Sequence, residues 1–253
     1  MYPILFRIGP VSVHAYGFMI ALAFLIGIPI SIHYARREGI KAETILDLAI
    51  YVIIAAIVGS RFFYVVGQWD EYKSNLPEIF MVQKGGLVFL GGLLLAVLVV
   101  VFYAKWKKTP MLKLLDALTP GTLLGYAITR VGCFLNGCCF GLPTRLPWGI
   151  EFPFGSLAYS YFPGEKIHPT QLYAVASMLV AFLIIALLYP RKKFDGQVFC
   201  WGLILYSVYR FLVEFLRYSP IHWLGMTPSQ WMVLVMAVVA VYGLVHKGFK
   251  PRG

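Results

Sequence analysis

Seven runs of mostly apolar residues dominate this chain, and a run of about 20 such residues is what one helix needs to cross the hydrocarbon core of a bilayer. The runs cover approximately Tyr16–His33, Thr44–Val66, Gly86–Ala104, Leu112–Cys133, Pro169–Leu188, Val198–Phe215 and Trp231–Val245. Pro29 in the first run and the glycines of the third are tolerable there, because neighbouring helices satisfy the backbone groups they free. Only 13% of the 253 residues are charged, about half of what covers a soluble surface, so lipid is the expected solvent. The expected fold is all-α: a polytopic membrane protein of seven transmembrane helices, forming a single domain over residues 1–253 without internal repeats. No cleavable signal peptide is expected, since Met1–His14 hold one arginine and no apolar core followed by a small-residue cleavage site.

The net charge of +11 is distributed as short clusters between the runs rather than as a stripe. That argues against a nucleic-acid partner and for membrane orientation signals. Arg36, Arg37 and Lys41 precede the second run, and Lys105, Lys107, Lys108 and Lys113 follow the third. Arg191, Lys192 and Lys193 follow the fifth, and Lys247, Lys250 and Arg252 end the chain. The opposite side carries only Arg7, Lys73, Lys84, Arg145 and Lys166. Basic residues concentrate in the cytoplasm, so the N-terminus is expected outside and the C-terminus cytoplasmic.

Arg61, Arg130, Arg210 and Arg217 fall inside or at the ends of apolar runs. In that orientation each lies in the later, outward part of its helix. His14, Tyr16, Gly85, Gly86 and His168 sit at the starts of helices that run the other way, so polar groups from six helices are expected at one level near the outer leaflet. A charge at the bilayer centre costs roughly 3 kcal/mol or more, and such arginines usually face a cavity or a partner. Tyr206, Arg210 and Glu214 share one helix face at i, i+4 and i+8, so Arg210 and Glu214 are able to neutralise each other. Arg130 has no carboxylate nearby in sequence. An external anion is the expected neutraliser, and arginine grips phosphate as a bidentate fork, the abundant phosphate at that level being a lipid headgroup. For Arg61 and Arg217, snorkelling to the interface explains the charge at least as well. The segment from Arg130 to Gly141 ends the fourth helix with Gly132, Gly137 and Gly141, which permit tight turns, and irregular backbone at this depth should line a cavity. The stretch Gly85–Gly92, which includes Gly91, either brings backbone close to a headgroup or packs helices through small residues.

At these residues the sequence resembles the prolipoprotein diacylglyceryl transferase family. The similarity runs in order through Ile8-Gly9-Pro10, His14-Ala-Tyr16-Gly17, Gly59-Ser-Arg61, Gly85 to Gly92, and Asp116 with Pro120. It continues through Arg130-Val-Gly-Cys-Phe-Leu-Asn136-Gly137 to Gly141, then His168-Pro-Thr-Gln171-Leu-Tyr173, and Tyr206 through Arg210 and Glu214 to Arg217. The resemblance implies transfer of the diacylglyceryl group of phosphatidylglycerol to the lipobox cysteine thiol in the signal peptide of a prolipoprotein, with a thioether formed and glycerol phosphate released. It assigns Arg130 and Arg210 to the lipid phosphate and the departing anion, an electrostatic role. Tyr16 would position the headgroup, Glu214 and Tyr206 would orient Arg210, and Gly141 would line the site. Asn136, Gly91, His14, His168 and Arg61 complete the substrate-binding candidates.

Three positions depart from the family pattern: Leu90 stands where a histidine is common, Cys133 where an asparagine is common, and Cys138 where a glutamate is common. The candidates for accepting the thiol proton are then His14, His168, or direct ionisation of the thiol beside a cationic cluster. Two other classes compete. Cys138 and Cys139 would suit a membrane thiol–disulfide enzyme, yet no Cys-x-x-Cys occurs and the arginines are left unexplained. A lipid-binding protein or transporter without chemistry would place its site near the midplane, often between inverted repeats. A zinc site from the cysteines with His168 has no ligand spacing behind it, and buried cysteine is most often a small packing residue. No metal or organic cofactor is expected.

Overall fold

The computed structural model describes residues 3–9, 11–73, 75–81 and 85–248. Pro10, Lys84, Lys250 and Arg252 of the motifs and clusters above lie outside them.

Each apolar run is a helix. In chain order the helices are α1 (Ala15–Arg37), α2 (Ala42–Gly67), α3 (Trp69–Tyr72), α4 (Phe89–Trp106), α5 (Met111–Asn136), α6 (Leu157–Tyr161), α7 (Thr170–Leu188), α8 (Gln197–Glu214) and α9 (Pro228–Gly248). Five of the long ones, α1, α2, α4, α9 and the helical stretch Thr170–Arg191, are long and apolar enough to cross a membrane. The other two, α5 and α8, are those that carry Arg130 and Arg210. The helix α4 starts three residues later than its apolar run because Gly85 and Gly86 adopt φ of 87° and 75°, a left-handed backbone that a helix cannot contain.

The fold is not purely helical. Strands β1 (Ile4–Ile8) and β2 (Val11–His14) pair antiparallel, and so do β3 (Ile150–Glu151) and β4 (Lys166–Ile167). The apolar-run pattern hides both ribbons, since strands this short leave almost no alternation to read.

The chain divides into two compact units, residues 35–114 and residues 1–34 with 115–253. The sequence, read as one domain, does not announce this division, because apolar helices continue through it without a linker. In the 35–114 unit, α2 packs on α4 at Gly59 and Gly91, where a methyl group on either would come within 2.6 Å of the other's carbonyl oxygen. This small-residue crossing is the packing alternative raised for the glycine stretch, and it engages Gly91 with α2.

In the larger unit, α1 meets α5 at Gly27 against Gly121 and again at Gly132, where an added Cβ would lie 2.9 Å from Met19 Cβ and 3.3 Å from Tyr16 Cα. At the α8 start, the fully buried Asp116 carboxylate accepts hydrogen bonds from the backbone N–H of Gly196 and of Phe199, both at 2.8 Å, and pairs with Lys192 at 3.2 Å. Residues 137–169 fold around Phe140, Phe152, Ala158 and Ile167, with Phe140 stacked on Tyr218 at 6.1 Å. This aromatic core fixes the loop that follows α5 and so positions the site.

Candidate functional site

Three arginines and the start of α7 define a small hollow in the larger unit, lined by Arg130, Cys139, Thr170, Gln171, Tyr209, Arg210, Val213 and Arg217. Arg130 comes from α5, Thr170 and Gln171 from the first turn of α7, Tyr209 and Arg210 from α8, and Arg217 from just beyond it.

Arg210 forms an ion pair with Glu214 one helical turn later and donates to Ser229 Oγ at 3.0 Å from the start of α9. Glu214, 4% exposed, also lies 3.9 Å from Arg217. One carboxylate therefore serves two guanidinium groups. The Arg130 guanidinium donates to the Tyr126 hydroxyl at 2.5 Å, sits 4.6 Å from the centroid of that ring, and lies 3.9 Å from Cys133 Sγ. Neither of these partners is a carboxylate. Among the described residues the hollow thus gathers three permanent positive charges around one carboxylate and the Cys139 sulfur, and the surplus that remains is what a bound anion would balance.

Tyr206 packs edge-on against Tyr126 at 5.6 Å, which connects it to the partner of Arg130, while the hydrogen-bonding partners of Arg210 are Glu214 and Ser229. Tyr16, 40% exposed, has Arg130, Cys133, Cys138 and Cys139 as its electrostatic neighbours. Gln171 Nε2 donates to the Cys138 carbonyl at 2.7 Å, and its buried Oε1 has no hydrogen-bond partner among the described residues. Gln171 is also one of the residues that line the hollow. Neither Gln171 nor Ser229 stands out from the chemistry of the sequence, because each reaches the site from a helix distant in the chain.

Other candidates are engaged elsewhere. A Cβ at Gly141 would come 2.6 Å from His168 Cβ and from the Leu216 carbonyl oxygen, so this glycine permits three segments to cross. Its backbone pairs with Arg217. His168 Nδ1 lies 3.1 Å from the Tyr173 hydroxyl, which also accepts from Trp148 Nε1 at 2.8 Å, an arrangement that orients a loop. His14 is exposed at the end of β2. Asn136 caps the end of α5, exposed, with its side chain on the Cys138 thiol. Arg61 and Gly91 belong to the 35–114 unit. There Arg61 donates from Nε to Ile79 O at 2.8 Å, from Nη2 to Glu78 O at 2.6 Å, and from Nη1 to Gly85 O at 2.8 Å and Gly86 O at 3.2 Å. Its fork is committed to backbone carbonyls. An added Cβ at Gly91 would meet the Gly59 carbonyl oxygen and Phe63 of α2.

The cysteines converge. Cys133 is buried in the last turn of α5, and the Sγ atoms of Cys133, Cys138 and Cys139 all lie within 4.8 Å of one another. Cys139 adopts φ 61°, which costs a side-chain-bearing residue on the order of 1 kcal/mol. The Cys133 and Cys138 thiols hydrogen-bond to the Cys139 sulfur, and Arg217 and Arg130 add positive charge. The Cys139 thiol is thereby held well below the usual cysteine range.

Comparison with known proteins bears on this arrangement. The chain matches the family model described as prolipoprotein diacylglyceryl transferase over residues 3–246. It is 35% identical over 237 residues to the phosphatidylglycerol–prolipoprotein diacylglyceryl transferase of Finegoldia magna, covering 93% of this chain and 92% of that protein. Proteins of the same description from Synechococcus elongatus, 35% identical over 251 residues (96% and 86% covered), and from Nostoc sp., 36% identical over 222 residues (85% and 78% covered), are similar to it throughout.

Proposed function

The chain belongs to the prolipoprotein diacylglyceryl transferase family, and from that premise we propose how its own side chains carry the reaction. It is a multi-pass membrane enzyme that transfers the diacylglyceryl group of phosphatidylglycerol to a prolipoprotein. All seven long helices cross the bacterial inner membrane, with the N-terminus outside and the C-terminus cytoplasmic. This reading is supported by the thirteen basic residues on one set of loops against five on the other.

The acceptor is the lipobox cysteine, which reacts as its thiolate after its thiol proton has passed to water. Its sulfur lone pair forms a bond to the glycerol carbon of the diacylglyceryl group, and the carbon–oxygen bond to phosphate breaks with its electron pair on that oxygen. The phosphate, a monoanion as a diester, leaves as glycerol phosphate with a second charge. Groups that stabilise the growing charge accelerate the step, provided that they are already oriented before it. Arg130 and Arg210 hold the phosphate, Tyr126 and Glu214 fix the two guanidinium planes, and Arg217 adds charge at the rim. Tyr16 and Tyr206 pack around the headgroup, and Gln171 Oε1 accepts from a headgroup hydroxyl.

One observation carries this reading: three guanidinium groups line one hollow, and a single carboxylate, Glu214, pairs with two of them. The test supplies purified protein with labelled phosphatidylglycerol and a lipobox peptide. Thioether and glycerol phosphate are expected from the wild type, and losses of 100-fold or more from Arg130→Ala and Arg210→Ala, in line with removal of an oxyanion-type donor. Lipid binding without turnover by the wild type would sink it in favour of a lipid-binding protein.

A further inference from the structure

Phosphate binding leaves three thiols unexplained. Neighbouring side chains on an extended chain point to opposite sides, yet Cys138 and Cys139 turn inward together, because Gly137 and Cys139 take φ of 71° and 61°. The turned backbone is pinned from outside. Gln171 Nε2 donates to the Cys138 carbonyl at 2.7 Å, Thr170 Oγ1 to the Cys139 carbonyl at 2.8 Å, and the Cys138 N–H to the Cys133 carbonyl at 3.2 Å. The result is a three-sulfur cluster with an outer layer of hydrogen bonds holding its ligand-bearing backbone, as preformed metal sites have. Cys133 closes the inner side and Cys139 lines the hollow itself.

We propose that Cys133, Cys138 and Cys139 bind one zinc ion as thiolates, leaving its fourth position to the thiol of the prolipoprotein cysteine. Zinc takes sulfur at about 2.3 Å in a tetrahedron, whose sulfurs stand roughly 3.8 Å apart, and three protein ligands with one open position mark catalytic sites. Sulfurs already within 4.8 Å of one another close to that spacing by side-chain adjustment alone. The charges also match. Zinc with three thiolates is a monoanion and with the substrate thiolate a dianion, which the surplus of Arg130, Arg210 and Arg217 over Glu214 offsets. This resting on the transfer reaction, the site supplies what Leu90 cannot: a thiol bound to zinc is deprotonated outright, its proton passing to water, and its sulfur is directed at the carbon bearing the phosphate held by the arginines. The metal keeps its oxidation state throughout. The thioether formed is a weaker ligand than the thiolate it replaces and leaves the zinc free.

Cobalt in place of zinc gives the test a readout that does not depend on turnover. Titrating Co²⁺ into the purified, reduced full-length protein in detergent should give sulfur-to-cobalt charge-transfer absorption and tetrahedral visible bands at one ion per chain, abolished by an equivalent of zinc. A lipobox cysteine peptide should shift the visible bands and its serine analogue should not. Cys139→Ser should lose the bands and Cys200→Ser should keep them. Absent bands in the wild type, bands indifferent to the peptide thiol, or copper recovered in place of zinc would each overturn the proposal. Transfer assays separate the two failures. Zinc-free protein should lose at least 100-fold in rate and recover it with added zinc. Undiminished transfer without zinc refutes the metal site alone. A thiol-responsive cobalt spectrum with no transfer by zinc-loaded protein refutes the transfer reaction alone.

Discussion

Arg61 and Arg210 are both buried guanidinium groups on long helices, 6% and 8% exposed, and their surroundings differ in kind. Arg61 spreads its donors over the carbonyls of Glu78, Ile79, Gly85 and Gly86, with the Tyr72 ring 5.1 Å away. It straps the segment between α3 and α4 to α2, and the backbone meets its hydrogen-bonding needs. Arg210 shares Glu214 with Arg217 and stands beside Arg130, whose partners are neutral. The first arginine is finished by its own unit; the second group is an unfinished electrostatic pattern. The lesson is that a buried charge indicates function by what its neighbourhood leaves unbalanced, since burial alone does not separate the two.

The largest effect should come from the unfinished group. Arg130→Ala is expected to lower transfer 100- to 1,000-fold, about 3–4 kcal/mol, with little change in melting temperature in detergent, because it leaves behind a neutral Tyr126 hydroxyl. Arg210→Ala should lose activity similarly and also stability, since Glu214 stays buried with only the 3.9 Å Arg217 contact. Adding Glu214→Gln to Arg210→Ala should restore the melting temperature and leave the rate low. If the double variant regained transfer, the two arginines would be structural as Arg61 is.

Arg61→Ala supplies the opposite arm. Hydrogen bonds from charged donors contribute roughly 1.5–3 kcal/mol each, and several carbonyls would lose theirs at once, so a loss of stability of about 2–4 kcal/mol is expected. Transfer measured well below the melting point should stay within about threefold of the wild type. A collapse in rate at an unchanged melting temperature would erase the contrast between the two regions.

Much of this was legible in the sequence, and for identifiable reasons. The long helices follow from runs of apolar residues, which record a solvent rather than a partner. The Arg210–Glu214 pair follows from i, i+4 spacing on one helix. Four arginines at the ends of apolar runs, however, look alike in sequence, and Arg61 separates from the rest only through backbone carbonyls, which leave no residue signature. Gly91 is the same case, its role decided by the Gly59 backbone across a helix crossing. The cysteine cluster was hidden because Cys133, Cys138 and Cys139 have no ligand spacing of a known motif. A left-handed turn at Gly137 and Cys139 brings them together, and Thr170 and Gln171, about thirty positions on, hold it.

Arg217→Ala tests how far the surplus charge extends. Its side chain is 25% exposed and its contact with Glu214 is 3.9 Å, so solvent screens it more than its neighbours. A loss of about tenfold in transfer is expected, and the effect should shrink as salt is raised, whereas that of Arg130→Ala should persist, because buried charges are screened far less. Equal salt sensitivity of the two variants would place both arginines at the rim.

The smallest effect belongs to Ser229. It holds Arg210 through one hydrogen bond of 3.0 Å from the start of α9, a bond between a charged donor and a neutral acceptor. Its loss leaves Glu214 in place, so the guanidinium keeps its charge partner and gains only freedom to swing about that contact. Ser229→Ala should therefore lower transfer about three- to tenfold, roughly 0.7–1.4 kcal/mol, with stability nearly unchanged. The loss should fall on kcat more than on KM, because the ground-state monoanion tolerates a loosely aimed fork while the departing dianion demands an aligned one. Ser229→Thr, which keeps a hydroxyl, should recover most of the rate. A Ser229→Ala enzyme that showed only a raised KM would mean that Arg210 binds lipid equally before and during transfer, and the unbalanced charge at α8 would then serve affinity instead of rate.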